Sequence, residues 1–239
     1  MKAVVIAGGR GTRLRPYTTV FPKPLMPIGD KPILEIIIRQ LKAQNFKEII
    51  MTIGHLGELI MAFFGDGSKF GVNIKYSKEE QALGTAGGLA LIKHELDESF
   101  LMINGDTLTT LNLWDLIDYH QRNDATVTVA LKARQIQIDF GVVEVDERSN
   151  NIKSYTEKPT LENWVSMGIS AMNRGVLDFI EPNVYLDFPQ LIQNLLAAGK
   201  TVKGYVFDGY WLDIGRPDDY ERANMEIDEL YSELGISGE

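Results

Sequence analysis

The chain has 239 residues, no cysteine and a formal net charge of −9. That length suits one large domain or two small ones with a full core, and the missing cysteines exclude a disulfide framework and a thiolate metal site. Hydrophobic residues at 44% and charged residues at 24% match a soluble globular protein, while the acid excess argues against a nucleic-acid partner, which needs a basic face.

The chain opens with "KAVVIA", a continuous apolar run stopped by glycine, as expected of a central strand buried on both faces. "DKPILEIIIRQLKAQNF" follows as a helix, with Asp30 as its cap and Pro32 in the first turn. "EIIMTIG" reads as a strand, "GELIMAFFG" as a short helix ending at glycine, and "VNIKYSK" as a further strand. "GTAGGLALIKHEL" is helical, "SFLMING" a buried strand and "LWDLIDYHQR" a helix. Strand alternating with helix predicts a Rossmann-like, doubly wound α/β fold with a mostly parallel sheet, whose ligands sit outside the carboxyl ends of the strands.

From residue 125 the pattern changes. "ATVTVALKA", "FGVVEVDE" and "NIKSYTE" are strand-like with no helix between them, which predicts a smaller antiparallel extension. "SMGISAMN" is a strand, "DFPQLIQNLLAAGK" a helix, "KGYVFDGYWLDIG" two short strands and "RPDDYERANMEIDELYSEL" a closing amphipathic helix. No linker rich in Pro, Gly or Ser divides the chain, so 1–239 is expected as one domain: a first half over 1–124, a second over 125–225 and a tail over 226–239. No apolar run reaches the ~18 residues of a membrane span, and the opening is too glycine-broken for a signal peptide. A cytoplasmic location without a membrane partner is the expectation, and homo-oligomer formation stays open.

The charge is uneven. Residues 1–31 hold Lys2, Arg10, Arg13, Arg15, Lys23 and Lys31 against one acid, Asp30, so a small anion is expected at one place on an acidic body. In "AGGRGTR" the glycines let backbone amides approach a ligand and form an anion nest, and the arginines add charge-assisted hydrogen bonds. Lys23 stands between two prolines that fix its direction. Such parts grip a polyphosphate. The segment is not a P-loop, because no Gly-Lys-[Ser/Thr] occurs, and not a dinucleotide fingerprint, because Leu14 stands where the third glycine belongs. "NGDT" ends a buried strand, and a carboxylate there suits a hard cation, although Asn-Gly alone is also a hairpin signal. His55, His94 and His120 are too scattered for a zinc centre.

"AGGRGTRLRPYTTVFPKPLMPIGDKPILE" resembles the signature of sugar-1-phosphate nucleotidylyltransferases, the nucleoside-diphosphate-sugar pyrophosphorylases, and "LGTAGGL", "NGDT", "TEKP" and "WLDIG" follow in family order. The likeness extends to about residue 225, and no β-helix extension follows, so a short form is expected. The resemblance implies the nucleotide-diphospho-sugar transferase type of fold, with a nucleotide-binding first half and a sugar-binding second half. It implies a nucleoside triphosphate and a sugar 1-phosphate as partners, and Mg2+ held by Asp106 and Asp213. Ala7, Gly8, Gly9, Gly11, Thr12, Arg13, Lys23, Gly84, Thr85 and Asp106 correspond to the nucleotide site, and Gly141, Glu157, Lys158 and Gly168 to the sugar-phosphate site. Arg13, Lys23, Asp106, Lys158 and Asp213 form the implied catalytic set.

Small residues at Gly84, Thr85, Ala86 and Gly87 are expected to let a flat base lie against the backbone. The glycine after "LGTA" resembles mannose-1-phosphate guanylyltransferases, which points to GTP and mannose 1-phosphate giving GDP-mannose. Uridylyl, thymidylyl or cytidylyl transfer to glucose, N-acetylhexosamine or heptose 1-phosphate stays as the alternative, and a non-catalytic nucleotide-sugar sensor as the alternative of another class. Many members read Asn-Ala-Gly where this chain has Ser166-Met167-Gly168, so the sugar contact of that asparagine is missing.

Overall fold

The computed structural model describes residues 1–236. In chain order the elements are β1 (Ala3–Ala7), β2 (Pro27–Ile28), β3 (Lys31–Pro32), α1 (Ile33–Ala43), β4 (Glu48–Ile53), α2 (Gly57–Phe64), β5 (Asn73–Lys78), α3 (Gly84–Gly87) and β6 (Ser99–Asn104). There follow β7 (Thr107–Thr109), α4 (Leu113–Arg122), β8 (Val127–Gln137), β9 (Val142–Val145), β10 (Ile152–Thr156), β11 (Thr160–Asn173), α5 (Phe188–Ala197), β12 (Val202–Val206), β13 (Trp211–Asp213) and α6 (Pro217–Glu233).

Seven strands form the central sheet in the order β12-β8-β11-β6-β1-β4-β5. β11 alone runs antiparallel to its neighbours, β6 and β8; the other four pairings are parallel. The alternate residues of β1 explain its continuous apolar letters. Ala3, Val5 and Ala7 enter a core shared with α1, α2, α4 and α6, while Val4 enters a second core with α3 and α5. A strand covered on both faces has no solvent side on which to place a polar residue. Helices on both faces make the fold doubly wound, as expected.

The antiparallel extension is also present. The outer parts of β8 and β11 pair from Lys132↔Val165 to Gln137↔Thr160, and the β9–β10 hairpin lies beyond them. Two elements differ from expectation. Asp30 does not cap α1; it lies in the turn of the β2–β3 hairpin, where Gly29 takes φ 59°, and Pro32 occupies the cap position with no side-chain bond. The Asp30 carboxylate instead accepts from Lys31 Nζ at 2.8 and 2.9 Å and from the Tyr231 hydroxyl at 3.0 Å. The helix expected over 84–96 is one α-helical turn followed by a 3-10 segment, Gly88–Ile92.

Residues 226–233 continue α6, and Leu230, Leu234 and Ile236 are buried in the first core; positions 237–239 of the expected tail lie outside the described residues. No helix among the described residues is long and apolar enough to cross a membrane.

Candidate active site

β1 and β6 lie side by side at the point where the strand order turns from β4 to β6, so the loops after Ala7 and Asn104 open into one crevice. The first loop is tightly sewn. Gly11 takes φ 60°, and a Cβ there would lie 3.0 Å from both Lys23 Cβ and Thr18 Cγ2. The Thr18 hydroxyl donates to the Gly11 carbonyl at 2.8 Å, and Leu14 is buried beneath the loop. Only a residue without a side chain permits this approach. Lys23, flanked by Pro22 and Pro24, is 8% exposed and its ammonium forms an ion pair with Asp106 Oδ2.

Asp106 and Asp213, 107 positions apart, are brought together by a ribbon of which the strand patterning announces only β13. β7 pairs antiparallel with β13, setting Thr107 opposite Asp213, and the Ile214 N–H donates to the Asp106 carbonyl at 3.0 Å. Asp106 Oδ1 is buried without a hydrogen-bond partner, a costly state for a carboxylate oxygen. Burial pushes the Asp213 carboxyl above the ordinary range, the Asp106 charge adds to this, and Lys23 and Arg13 pull against it. The Arg13 guanidinium lies against Gly215, two residues past Asp213: a Cβ there would lie 3.0 Å from it.

An orphaned acceptor beside a second, electrostatically strained carboxylate is a donor set that suits a hard dication. Among the described residues no group of three or more His, Cys, Asp or Glu side chains is arranged to hold a metal. A dication between Asp106 and Asp213 would therefore complete its shell with oxygens of substrate and water.

The crevice encloses a cavity of about 380 Å3. Ala7, Gly8, Gly9, Gly11, Thr12, Arg13, Lys23, Gly84, Thr85 and Asp106 all line it. Glu79, Tyr185 and Asp187 line it too, and sequence reasoning did not single them out. Glu79 stands four residues before the "LGTAGGL" string, with no spacing to distinguish it. Its carboxyl is pushed up by burial, with the Leu83 N–H donating to Oε2 at 3.2 Å as the opposing influence. A Cβ on Gly88 would come within 2.6 Å of Oε1. The Cβ side of Gly84 and Gly87 in α3 faces main chain, while Gly84 and Thr85 line the cavity in which the flat base is expected. A Cβ on Gly84 would lie 2.6 Å from the Leu186 carbonyl oxygen, and one on Gly87 2.7 Å from that of Val184, so main chain from the second half fills that space.

On the other side, Gly168 sits in the irregular stretch of β11 between Ser166 and Ser170, at φ 73°. A Cβ there would lie 2.5 Å from Asn104 Nδ2, which sets Gly168 against the "NGDT" segment. The Met167 carbonyl accepts from Trp211 Nε1 at 3.0 Å. Gly141 lies against the ring of Tyr155, and the Tyr155 hydroxyl donates to Glu157 at 3.1 Å. Lys158 is exposed at φ 45°. Gly141, Glu157, Lys158, Gly168 and Asp213 do not line the cavity that holds the loop cations. His120 is buried between Thr128 Oγ1 at 2.9 Å and Asn173 Oδ1 at 3.0 Å, a packing role.

The nucleotidyl transferase family matches residues 2–229 of the chain. A UTP–glucose-1-phosphate uridylyltransferase of Synechocystis sp. is 34% identical over 93% of this chain and 62% of its own length. The mannose-1-phosphate guanylyltransferase of Mycobacterium tuberculosis is 34% identical over 94% of this chain and 64% of its own length. The chain thus spans less than two thirds of these relatives. Among solved structures, a candidate glucose-1-phosphate thymidylyltransferase from Bacillus anthracis, in complex with a sucrose, superposes with a TM-score of 0.75 at 26% identity, covering 94% of each chain. HddC from Yersinia pseudotuberculosis, at 23% identity and a TM-score of 0.75 over 95% of this chain and 99% of its own, shares the fold.

Proposed function

From the premise that the chain belongs to the nucleotidyl transferase family, we propose that it joins a nucleoside triphosphate to a sugar 1-phosphate with release of pyrophosphate, and that the pair is GTP and mannose 1-phosphate. The observation that carries the reaction class is the meeting of a glycine-rich cationic loop and Asp106 in one cavity.

The attacking group is an oxygen of the sugar phosphate, already ionised because its second pKa is ~6. No general base is required, and the bond formed to the α-phosphorus replaces the bond to the departing pyrophosphate. The task left to the protein is alignment and charge neutralisation. Arg13 and Lys23 hold the triphosphate, Lys23 exchanging its Asp106 partner for a phosphate oxygen. Lys158 holds the attacking phosphate, and Glu157, Gly141 and Gly168 face the sugar. Mg2+ on Asp106 and Asp213, when bound, supplies positive charge at the reacting phosphates.

Glu79 supports the choice of base. A half-buried carboxylate without a cationic partner needs N–H donors, and guanine presents two adjacent ones, N1–H and the 2-amino group. Uracil and thymine present one N–H between two carbonyls. The name of the Mycobacterium tuberculosis relative agrees with guanylyl transfer. UTP with glucose 1-phosphate is the second reading, favoured by the name of the Synechocystis relative.

The test is pyrophosphate release from GTP, UTP, dTTP, CTP and ATP, each with mannose, glucose and N-acetylglucosamine 1-phosphates. GTP with mannose 1-phosphate is expected to give the highest kcat/KM. Release from no pair would end both the GTP–mannose 1-phosphate and the UTP–glucose 1-phosphate readings.

A further inference from the structure

Residues 183–187, between β11 and α5, form a strap over the start of α3. The Leu186 carbonyl accepts from the Ala86 and Gly87 N–H groups, each at 3.0 Å. Asp187 Oδ1 accepts from the Thr85 N–H at 3.2 Å. The Gln81 side-chain amide donates to the Asn183 carbonyl at 3.0 Å, which ties the strap to the Glu79 end of the cavity. The first amides of α3 are spent on this strap and not offered to an anion.

Asp187 occupies the N-cap position of α5, yet its side chain makes no bond to its own helix, although an aspartate there ordinarily would. It faces Thr85 and Tyr185 instead. The Tyr185 hydroxyl donates to Asp187 Oδ2 at 2.6 Å, and that carboxylate keeps the hydroxyl protonated by pushing its pKa up. The Phe188 N–H, left by Asp187, donates to Thr85 Oγ1 at 2.8 Å. Tyr185 lines the cavity and is 60% exposed. An aromatic ring anchored at its polar end and left uncovered on a cavity wall is a pre-organised stacking platform.

Building on the nucleotidyl-transfer reading, we infer that Tyr185 is a nucleoside-binding residue whose ring lies against the face of the base that meets Glu79, and that Asp187 positions it. The second half of the chain would then supply one wall of the base site, through a contact that no motif of the first half encodes.

Titration calorimetry of the full chain with GTP and with inorganic tripolyphosphate tests this. Tyr185→Ala is expected to weaken GTP by about 5- to 150-fold, the range of one base–aromatic stack, and to leave tripolyphosphate unchanged. Tyr185→Phe keeps the ring and is expected to retain most of the GTP affinity. In turnover, the Ala variant should raise KM for GTP with kcat preserved, as for loss of uniform binding. The inference is overturned by unchanged GTP affinity in Tyr185→Ala, by equal weakening of both ligands, or by a Phe variant as weak as the Ala variant. A wild-type chain that binds GTP but releases no pyrophosphate would sink the transfer reading alone.

Discussion

If Glu79 meets guanine as proposed, replacing it by Gln is expected to separate guanine recognition from general nucleotide binding, with effects that follow from the carboxylate's surroundings. Oε2 already accepts from the Leu83 N–H at 3.2 Å, and Oε1 sits close under Gly88, so a glutamine fits the same volume in a fixed orientation. The introduced amide offers guanine one acceptor and one donor where the wild-type carboxylate offers two acceptors. One charge-assisted bond is lost and two donors face each other. A hydrogen bond to a charged group contributes about 1.5–3 kcal/mol, so kcat/KM for GTP should fall by roughly 10- to 150-fold. UTP, with one N–H beside a carbonyl, matches the amide and should hold or gain. The fold should not suffer. Burial raises the Glu79 carboxyl above its unfolded value, so its contribution to stability is fully present below the unfolded pKa and is lost as pH rises through the folded one. The neutral variant is therefore expected to melt at or above the wild-type temperature at about pH 7.5. Steady-state kinetics with both triphosphates and a thermal melt read all three effects. An unchanged GTP-to-UTP ratio would refute the role given to Glu79.

Asp106→Asn should cost roughly 10²- to 10³-fold in kcat with Mg2+, the scale of losing one key electrostatic group, while the melt changes little because the amide still accepts from Lys23 and no longer repels Asp213; near wild-type turnover would remove Asp106 from the site. Lys158→Ala should weaken mannose 1-phosphate and spare GTP in separate calorimetric titrations, and parallel weakening of both would contradict the division of labour. His120, whose pKa burial holds below the ordinary 6.5, makes the unfolded state the better proton binder, so stability is lost as pH falls through about 6.5. The drop in melting temperature from about pH 7.5 to 5.5 should be smaller in His120→Gln than in wild type, and identical slopes would exclude that linkage.

The strands β1, β4 and β6 were legible because burial on both faces leaves a run of mostly apolar letters, and the change of pattern after residue 125 announced the antiparallel extension. Asp30 misled because an aspartate before a helical pattern looks the same whether it caps the helix or turns a hairpin; Gly29 decided for the hairpin. The cationic loop could be recognised from its glycines and arginines alone. The approach of Asp106 to Asp213 could not: β13 was expected among the two short strands of "KGYVFDGYWLDIG", but its partner β7 is three residues long, too short for a period to show, and lies about a hundred positions away. The contact of Asp187 with Thr85 is equally remote and depends on one side chain declining its local cap. Roles for Glu157 and Lys158 came only through resemblance, because an exposed Glu-Lys pair has no chemical signature of its own.

The β7–β13 ribbon has a mechanical consequence. The spacing of the two acids is set by main-chain rungs between Thr107–Thr109 and Trp211–Asp213, not by the reach of flexible side chains. With the Ile214 N–H bonded to the Asp106 carbonyl, a displacement of either loop is passed to the other acid through the main chain.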